Sequence, residues 1–342
     1  MTTETTTTND TEKTAEARRE RAEQNAQQFI DFREAIQKET FRPIRTGLDF
    51  YDELMKGGAQ SQTLTVLIAE QGAGKSMLLQ QLAESIATTE HRRVIYLNFE
   101  MSSAQLLARA ISARVCERGN MRKSQRDILR GYKWNEKERA EILEVLDEYE
   151  RESLPYISYN PQGVKATLED LKEYETELLN NHQTAPVLFV DYLQLIQNRS
   201  GAKQMEVKDR LTQVLIDLKE YAIKGNTFVY LISAINRPSF GNSNSNITAT
   251  RARDTSAIEY QADYLIALQN AKDQAAANRK GLQRMELKLL KSRDGKSGDY
   301  SVIYRDGKAN NFFGEYEGVY IDPEEKEKPT AYKTLEALAE QE

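Results

Sequence analysis

The stretch LIAEQGAGKSMLLQQLA, residues 67–83, changes character at its centre. An apolar run ends in a glycine-containing turn, the pair Lys75-Ser76 follows, and apolar residues then recur at helical spacing. Residues 69–76, AEQGAGKS, fit the Walker A template except that Ala69 replaces the first glycine. In that template the backbone N–H groups of Gln71, Gly72, Ala73, Gly74 and Lys75 wrap a β-phosphate. Lys75 reaches the β/γ oxygens and Ser76 ligates Mg2+. The helix opening through Ser76 and Met77 adds the pull of its N-terminal dipole. The plain alternative is a strand–turn–helix corner in which the match is coincidental. The strand before and the helix after, both legible here, favour the cradle and a nucleoside triphosphate such as ATP.

A cradle alone would serve a switch or a kinase as well as a hydrolase. Asp191 ends the apolar run VLFVD, at the carboxyl end of a buried strand where ligands bind in open α/β sheets, and suits a Mg2+ ligand. Strand-end aspartates also form turns, so its weight comes from Lys75. Glu100 closes VIYLNFE, the strand directly after the Walker A helix, where a carboxylate could act as general base on an attacking water. Ser102 and Ser103 suit the cap of a following helix, which starts there on either reading.

The elements that must hold these residues alternate. Residues 63–69, 93–99, 154–159, 186–196 and 227–235 read as strands, and 76–89, 102–115, 167–182 and 209–225 as helices, with a polar helical region over about 123–153. This alternation implies an α/β fold with a largely parallel sheet. Residues 262–269, 285–293 and 300–306 follow as strand after strand and read as antiparallel. Residues 1–14 are Thr-rich and read as disordered. Residues 15–41 form a linker or docking helix, with Phe29, Phe32 and Ile36 at helical spacing and Pro43 ending it. Residues 42–322 form the main domain and 323–342 a charged, frayed tail.

Composition narrows the class. The 342 residues are 39% hydrophobic and 29% charged, with a net charge of −6. That balance argues against bulk-charge coating of nucleic acid, while leaving room for basic residues confined to loops. Cys116 is the only cysteine, and the two histidines, His91 and His182, are far apart, which excludes a disulfide framework and leaves no basis for a thiolate/imidazole zinc site. No apolar run reaches the ~18 to 20 residues of a membrane span. The N-terminus lacks an apolar signal core. The expectation is a cytoplasmic protein with no membrane partner.

The segments RTGLDFYDELMKGG, AEQGAGKS, NFEMSSAQLLARAISA, VDYLQLI, SAINRPS, ARDTSAIEYQADYLIAL and KLLKSRDGKSG, in this order and spacing, resemble the RecA-like motor domain of the DnaB-type replicative DNA helicases. The resemblance covers about residues 42–314. FEMS and DYLQL are far more specific than the cradle. The resemblance implies a RecA-like P-loop NTPase: a mostly parallel central sheet flanked by helices, with antiparallel strands added toward the C-terminus. It implies ATP and Mg2+ held by Lys75, Ser76 and Asp191, with Glu100 as catalytic base. It places Lys291 and Arg293 on a strand facing the ATP of an adjacent subunit, as an arginine finger. Without it, these two are ordinary exposed residues entering the DGKSG turn.

The same resemblance implies a hexameric ring on single-stranded DNA during replication. DNA contacts would come from the loop 197–208, with Arg199, Lys203 and Lys208, and from 237–259, with Arg251, Arg253 and Asp254. In a ring, six copies of each loop would concentrate positive charge in one channel. Two features depart from the family. Ala234 stands where many members have a γ-phosphate-sensing Gln, so sensing would pass to Asn236 or Arg237. Only about 40 residues precede the motor, so the family's globular N-terminal domain is expected to be absent, and a primase or loader contact is not inherited with it. Two other functions compete: a DNA-dependent ATPase that loads or remodels complexes without unwinding, and a nucleotide switch or small-molecule kinase. The last would make the loops and the Lys291/Arg293 pair accidents.

Overall fold

The apolar runs become strands wherever β-branched and aromatic residues dominate: β1 (Thr63–Ala69), β2 (Val94–Asn98), β3 (Ile157–Tyr159), β4 (Val187–Asp191), β5 (Phe228–Ala234), β6 (Tyr264–Asn270), β7 (Gln283–Ser292), β8 (Tyr300–Asp306) and β9 (Asn311–Gly314). The helices are α1 (Glu4–Gln37), α2 (Asp49–Leu54), α3 (Lys75–Thr89), α4 (Ser103–Glu117), α5 (Gln125–Leu129), α6 (Glu136–Glu152), α7 (Val207–Lys224) and α8 (Thr255–Gln261). The computed structural model describes residues 4–98, 100–119, 121–160, 185–191, 207–234, 255–272, 282–293 and 295–314. The expected helix 167–182, the tail, and Arg199, Lys203, Asn236, Arg237, Arg251, Arg253 and Asp254 lie outside the described residues. Lys208 falls in the first turn of α7.

The chain divides into two units, residues 1–43 and 44–342. In the first, α1 is one helix that begins at Glu4, ahead of the expected start at Ala15, because no Gly or Pro interrupts the run. Its apolar stripe is open: Phe29, Phe32 and Ile36 are all more than half exposed. Phe32 packs on Phe41 with ring centroids 6.1 Å apart.

In the second unit the strands form one sheet in the order β3-β2-β4-β5-β1-β6-β7-β8-β9. β3, β2, β4, β5, β1 and β6 pair in parallel. β6 to β9 pair antiparallel. The antiparallel part therefore begins one strand later than the sequence pattern suggested, since β6 runs alongside β1 before β7 reverses. β9 was not expected; four residues are too few to show an alternation. Every residue of β1, β2 and β4 is buried, as strands covered on both faces must be. Leu64, Val66 and Ile68 face the side covered by α7 and α8, where Leu211, Val214, Leu215 and Ile258 pack on them. Leu67 and Ala69 face the side covered by α2 and α3. α2 was also unexpected. Asp52 within it is buried and accepts from the Thr46 N–H (2.8 Å) and hydroxyl (2.7 Å), which pins the approach to β1.

An aromatic ladder crosses the α3 face. Tyr159, Tyr96, Phe189 and Tyr230 are register partners on β3, β2, β4 and β5. Tyr96 and Phe189 stack at 6.2 Å, Phe189 and Tyr230 at 4.9 Å, and Tyr51 of α2 meets Tyr230 edge-on at 6.0 Å. Phe189 is fully buried at its centre. Phe189→Ala is expected to lower stability by about 3–5 kcal/mol, measured by urea unfolding. A loss under about 1 kcal/mol would show that the ladder does not organise this core.

Candidate active site at the carboxyl edge of the sheet

Because β1, β2, β4 and β5 are parallel, their last residues share one edge: Ala69, Asn98, Asp191 and Ala234. The turn after β1 leads into α3 through Gly72 (φ 81°) and Gly74 (φ 98°), left-handed conformations that favour glycine. A Cβ at Gly74 would also lie 3.0 Å from the Phe312 ring and 3.1 Å from Arg305 Nε. Gly74 is the N-cap of α3 and brings no side chain to cap it, so the first turn meets the loop with its backbone donors. Lys75 Nζ donates to the carbonyls of Ala69 and Glu70, both at 2.9 Å. Burial lowers its pKa, opposed by the charges of Asp191, Glu100 and Glu70.

Asp191 is 3% exposed, and its hydrogen-bond partners are neutral. Asn98 Nδ2 donates to its Oδ2 at 2.7 Å, the Tyr96 hydroxyl reaches the same oxygen at 3.4 Å, and Ser76 hydrogen-bonds to it. Burial raises its pKa, and the Glu100 charge adds to this, while Ser76, Arg109 and Lys75 oppose it. A buried carboxylate beside a serine hydroxyl, with its charge disfavoured by burial, is a donor set that a hard divalent cation would relieve, so these residues fit Mg2+. Glu100 is exposed at the mouth of this group. Its backbone N–H and that of Met101 donate to Asn98 Oδ1 at 2.9 and 2.6 Å. α4 then starts with a capping box in which Ser102, rather than Ser103, is the cap and Gln105 closes the box.

Lys75, Ser76, Asp191 and Glu100 are thus gathered at one edge. Lys291 and Arg293 are not with them. Arg293 N–H donates to the Asp263 carbonyl (3.0 Å), and Asp263 pairs with Leu64 near the start of β1. The cradle follows Ala69, five residues along, so about 17 Å of strand separates them. Ala234 ends β5 beside Ala69.

Sequence reasoning missed three positioning groups. Asn98 is buried and ties Asp191 to the Glu100 turn through both ends of one amide. Its signal was a polar residue closing the strand VIYLN. Arg109 of α4 donates to Met101 Sδ (2.9 Å) and has buried Nε and Nη1 atoms without partners, in electrostatic reach of Asp191. An arginine inside the apolar run of α4 was legible in sequence. Arg305 of β8 donates to the Gly72 carbonyl at 2.7 Å, a contact across 233 residues that no local pattern could show.

Comparison with known proteins agrees with this arrangement. Residues 43–313 match the family described as DnaB-like helicase C terminal domain. A probable plasmid replicative DNA helicase of Chlamydia trachomatis serovar L2 is 28% identical over 254 residues, covering 72% of this chain and 49% of that protein. A probable replicative DNA helicase of Trieres chinensis is 24% identical over 277 residues, covering 80% and 58%. The chain spans about half the length of the curated relatives it matches. Among solved structures, an isolated ATPase domain superposes with a TM-score of 0.65 at 16% identity, covering 84% of this chain and 98% of that one. A DnaB-like replicative helicase studied with primase gives 0.65 at 17%, covering 83% and 65%. With most of its length matched by that family and the same RecA-like fold, the chain belongs to the DnaB-like helicase C-terminal domain family.

Proposed function

We propose that the chain is an ATP-driven DNA helicase or translocase that acts as a ring, a hexamer, on single-stranded DNA during replication. The observation that carries this is the division of the site. Lys75, Ser76, Asp191 and Glu100 gather at one end of β1, while Lys291 and Arg293 sit at the other, out of reach of their own cradle. Such a chain holds half of a hydrolytic centre, and a ring of copies completes it.

In this account the loop over Gln71–Met77 holds the phosphates of ATP and Lys75 balances their charge. Ser76 and Asp191 hold Mg2+, which neutralises phosphate charge when bound. Glu100 takes a proton from the attacking water, its backbone fixed by Asn98. Lys291 and Arg293 deliver positive charge to the γ-phosphate of the neighbouring copy. Arg199, Lys203, Lys208, Arg251, Arg253 and Asp254 meet the DNA backbone. Two of the relatives are named replicative helicases, and a structural neighbour was studied with primase, so a primase or loader is a partner in this account. Among the described residues no helix is long and apolar enough to cross a membrane, and the proposed site of action is the cytoplasm.

A DNA-dependent ATPase that remodels complexes without unwinding is the second reading. It is favoured by Ala234, which ends β5 beside the cradle strand and is a residue type with no side-chain hydrogen bond to offer a phosphate. Strand displacement on a forked duplex separates the two. The helicase account predicts ATP-dependent displacement; DNA-stimulated turnover with no displacement on any fork geometry would leave the second. Asn98→Ala is expected to lower ATP turnover about 10- to 100-fold and to raise the Mg2+ concentration needed for half-maximal rate. Turnover within about twofold of wild type would remove Asn98 from the account. Arg253→Ala is expected to weaken single-stranded DNA binding and to flatten log K against log salt by about 0.7 for each phosphate that the variant no longer neutralises. An unchanged slope would contradict a backbone contact there.

A further inference from the structure

Asp263 is the residue that ends the α8–β6 link, and it is 2% exposed. Its two carboxylate oxygens have separate duties. Oδ2 accepts from the Leu64 N–H at 2.8 Å and from Lys219 Nζ, which also donates to the Gln62 carbonyl. The backbone of Asp263 returns a bond to the Leu64 carbonyl at 2.9 Å, so the residue is fixed to β1 from both sides. Those contacts would satisfy a structural carboxylate at a strand start. Oδ1 is left over, and it lies 3.0 Å from Arg293 Nη1. The Arg293 N–H donates to the Asp263 carbonyl at 3.0 Å, so side chain and backbone are held together. Beside it, Lys291 Nζ donates to the carbonyls of Glu259 and Ala262, at the end of α8.

We propose that Asp263 is the positioning residue for Arg293, an inference that rests on the role in trans given to Arg293 above. The Arg293 side chain is 52% exposed while Asp263 beneath it is 3% exposed. One hydrogen bond to a rigid carboxylate therefore fixes a long, rotamer-rich side chain and leaves most of its five donors facing outward. Lys219 shares the carboxylate, so the group keeps a net positive charge with Arg293 as its exposed member. The α8 carbonyls do for Lys291 what Asp263 does for Arg293. Pre-ordering of this kind matters for a group that acts across a subunit interface, because a displacement of about 1 Å can cost about 100-fold in rate.

The test is steady-state ATP turnover by the full chain with saturating oligothymidylate. Asp263→Asn keeps an oxygen for the Leu64 N–H and turns an amide N–H2 toward the guanidinium. It is expected to lower kcat by at least about tenfold with KM for ATP within about twofold of wild type. In an Arg293→Ala background the same change is expected to have no further effect, because the residue it acts through is gone. Equal losses in both backgrounds would show a structural role and overturn the proposal. So would an unchanged kcat for Asp263→Asn while Arg293→Ala is inactive. An Arg293→Ala chain with full kcat would overturn the role in trans itself, and the positioning role with it. If Asp263→Asn does not fold, Asp263→Glu keeps the charge for Lys219, shifts the oxygen facing Arg293, and carries the same expectations in both backgrounds.

Discussion

Parallel strands covered on both faces leave functional polar groups one outlet, the strand ends, and this constraint organises the molecule. β1, β2 and β4 are buried along their whole length, so the chain can carry a carboxylate, an amide and a phosphate loop together only where those strands stop. Asp191 and Asn98 are neighbours for that reason: they are register partners at the carboxyl ends of adjacent strands. Their hydrogen bond does more than fill a valence. It gives a buried carboxylate a neutral donor in place of a counter-ion, so the charge stays available to a cation that comes and goes.

The site is also continuous with the core. Tyr96 is a rung of the aromatic ladder, and its hydroxyl touches both the Asp191 carboxylate and the Ser76 carbonyl. Packing on β2, β4 and β5 therefore sets where the loop after β1 meets the end of β4. Arg305 adds a second constraint from the antiparallel half, reaching the Gly72 carbonyl from β8. The late strands thus do more than widen the sheet. β8 braces the cradle, and β7 carries Lys291 and Arg293 to the far end.

Much of this was legible in sequence for a physical reason: local patterns report local structure. The order of strands and helices, the turn at Gly72–Gly74 and the strand-end carboxylates follow from runs, glycines and periodicity within short windows. What the sequence hid was non-local or too short. β9 has four residues and α2 six, below the length at which a period shows. The parallel partnership of β6 with β1 depends on a crossover, and the antiparallel look of the late strands concealed it. Asn98 and Arg109 were visible as residue types, yet only the pairing of β2 with β4 and the placement of α4 gave them a use. Arg305 offered no local cue at all.

The central claim is that one chain holds half of each hydrolytic centre. It rests on the roughly 17 Å of β1 between the cradle and the level at which Arg293 is held. The most direct measurement mixes two inactive chains, one Lys75→Ala and one Arg293→Ala, and follows ATP turnover with single-stranded DNA present. The account predicts that the mixture recovers measurable turnover, because some interfaces pair an intact cradle with an intact Arg293. A mixture that stays at the sum of its two inactive parts, although the chains assemble together, would contradict it.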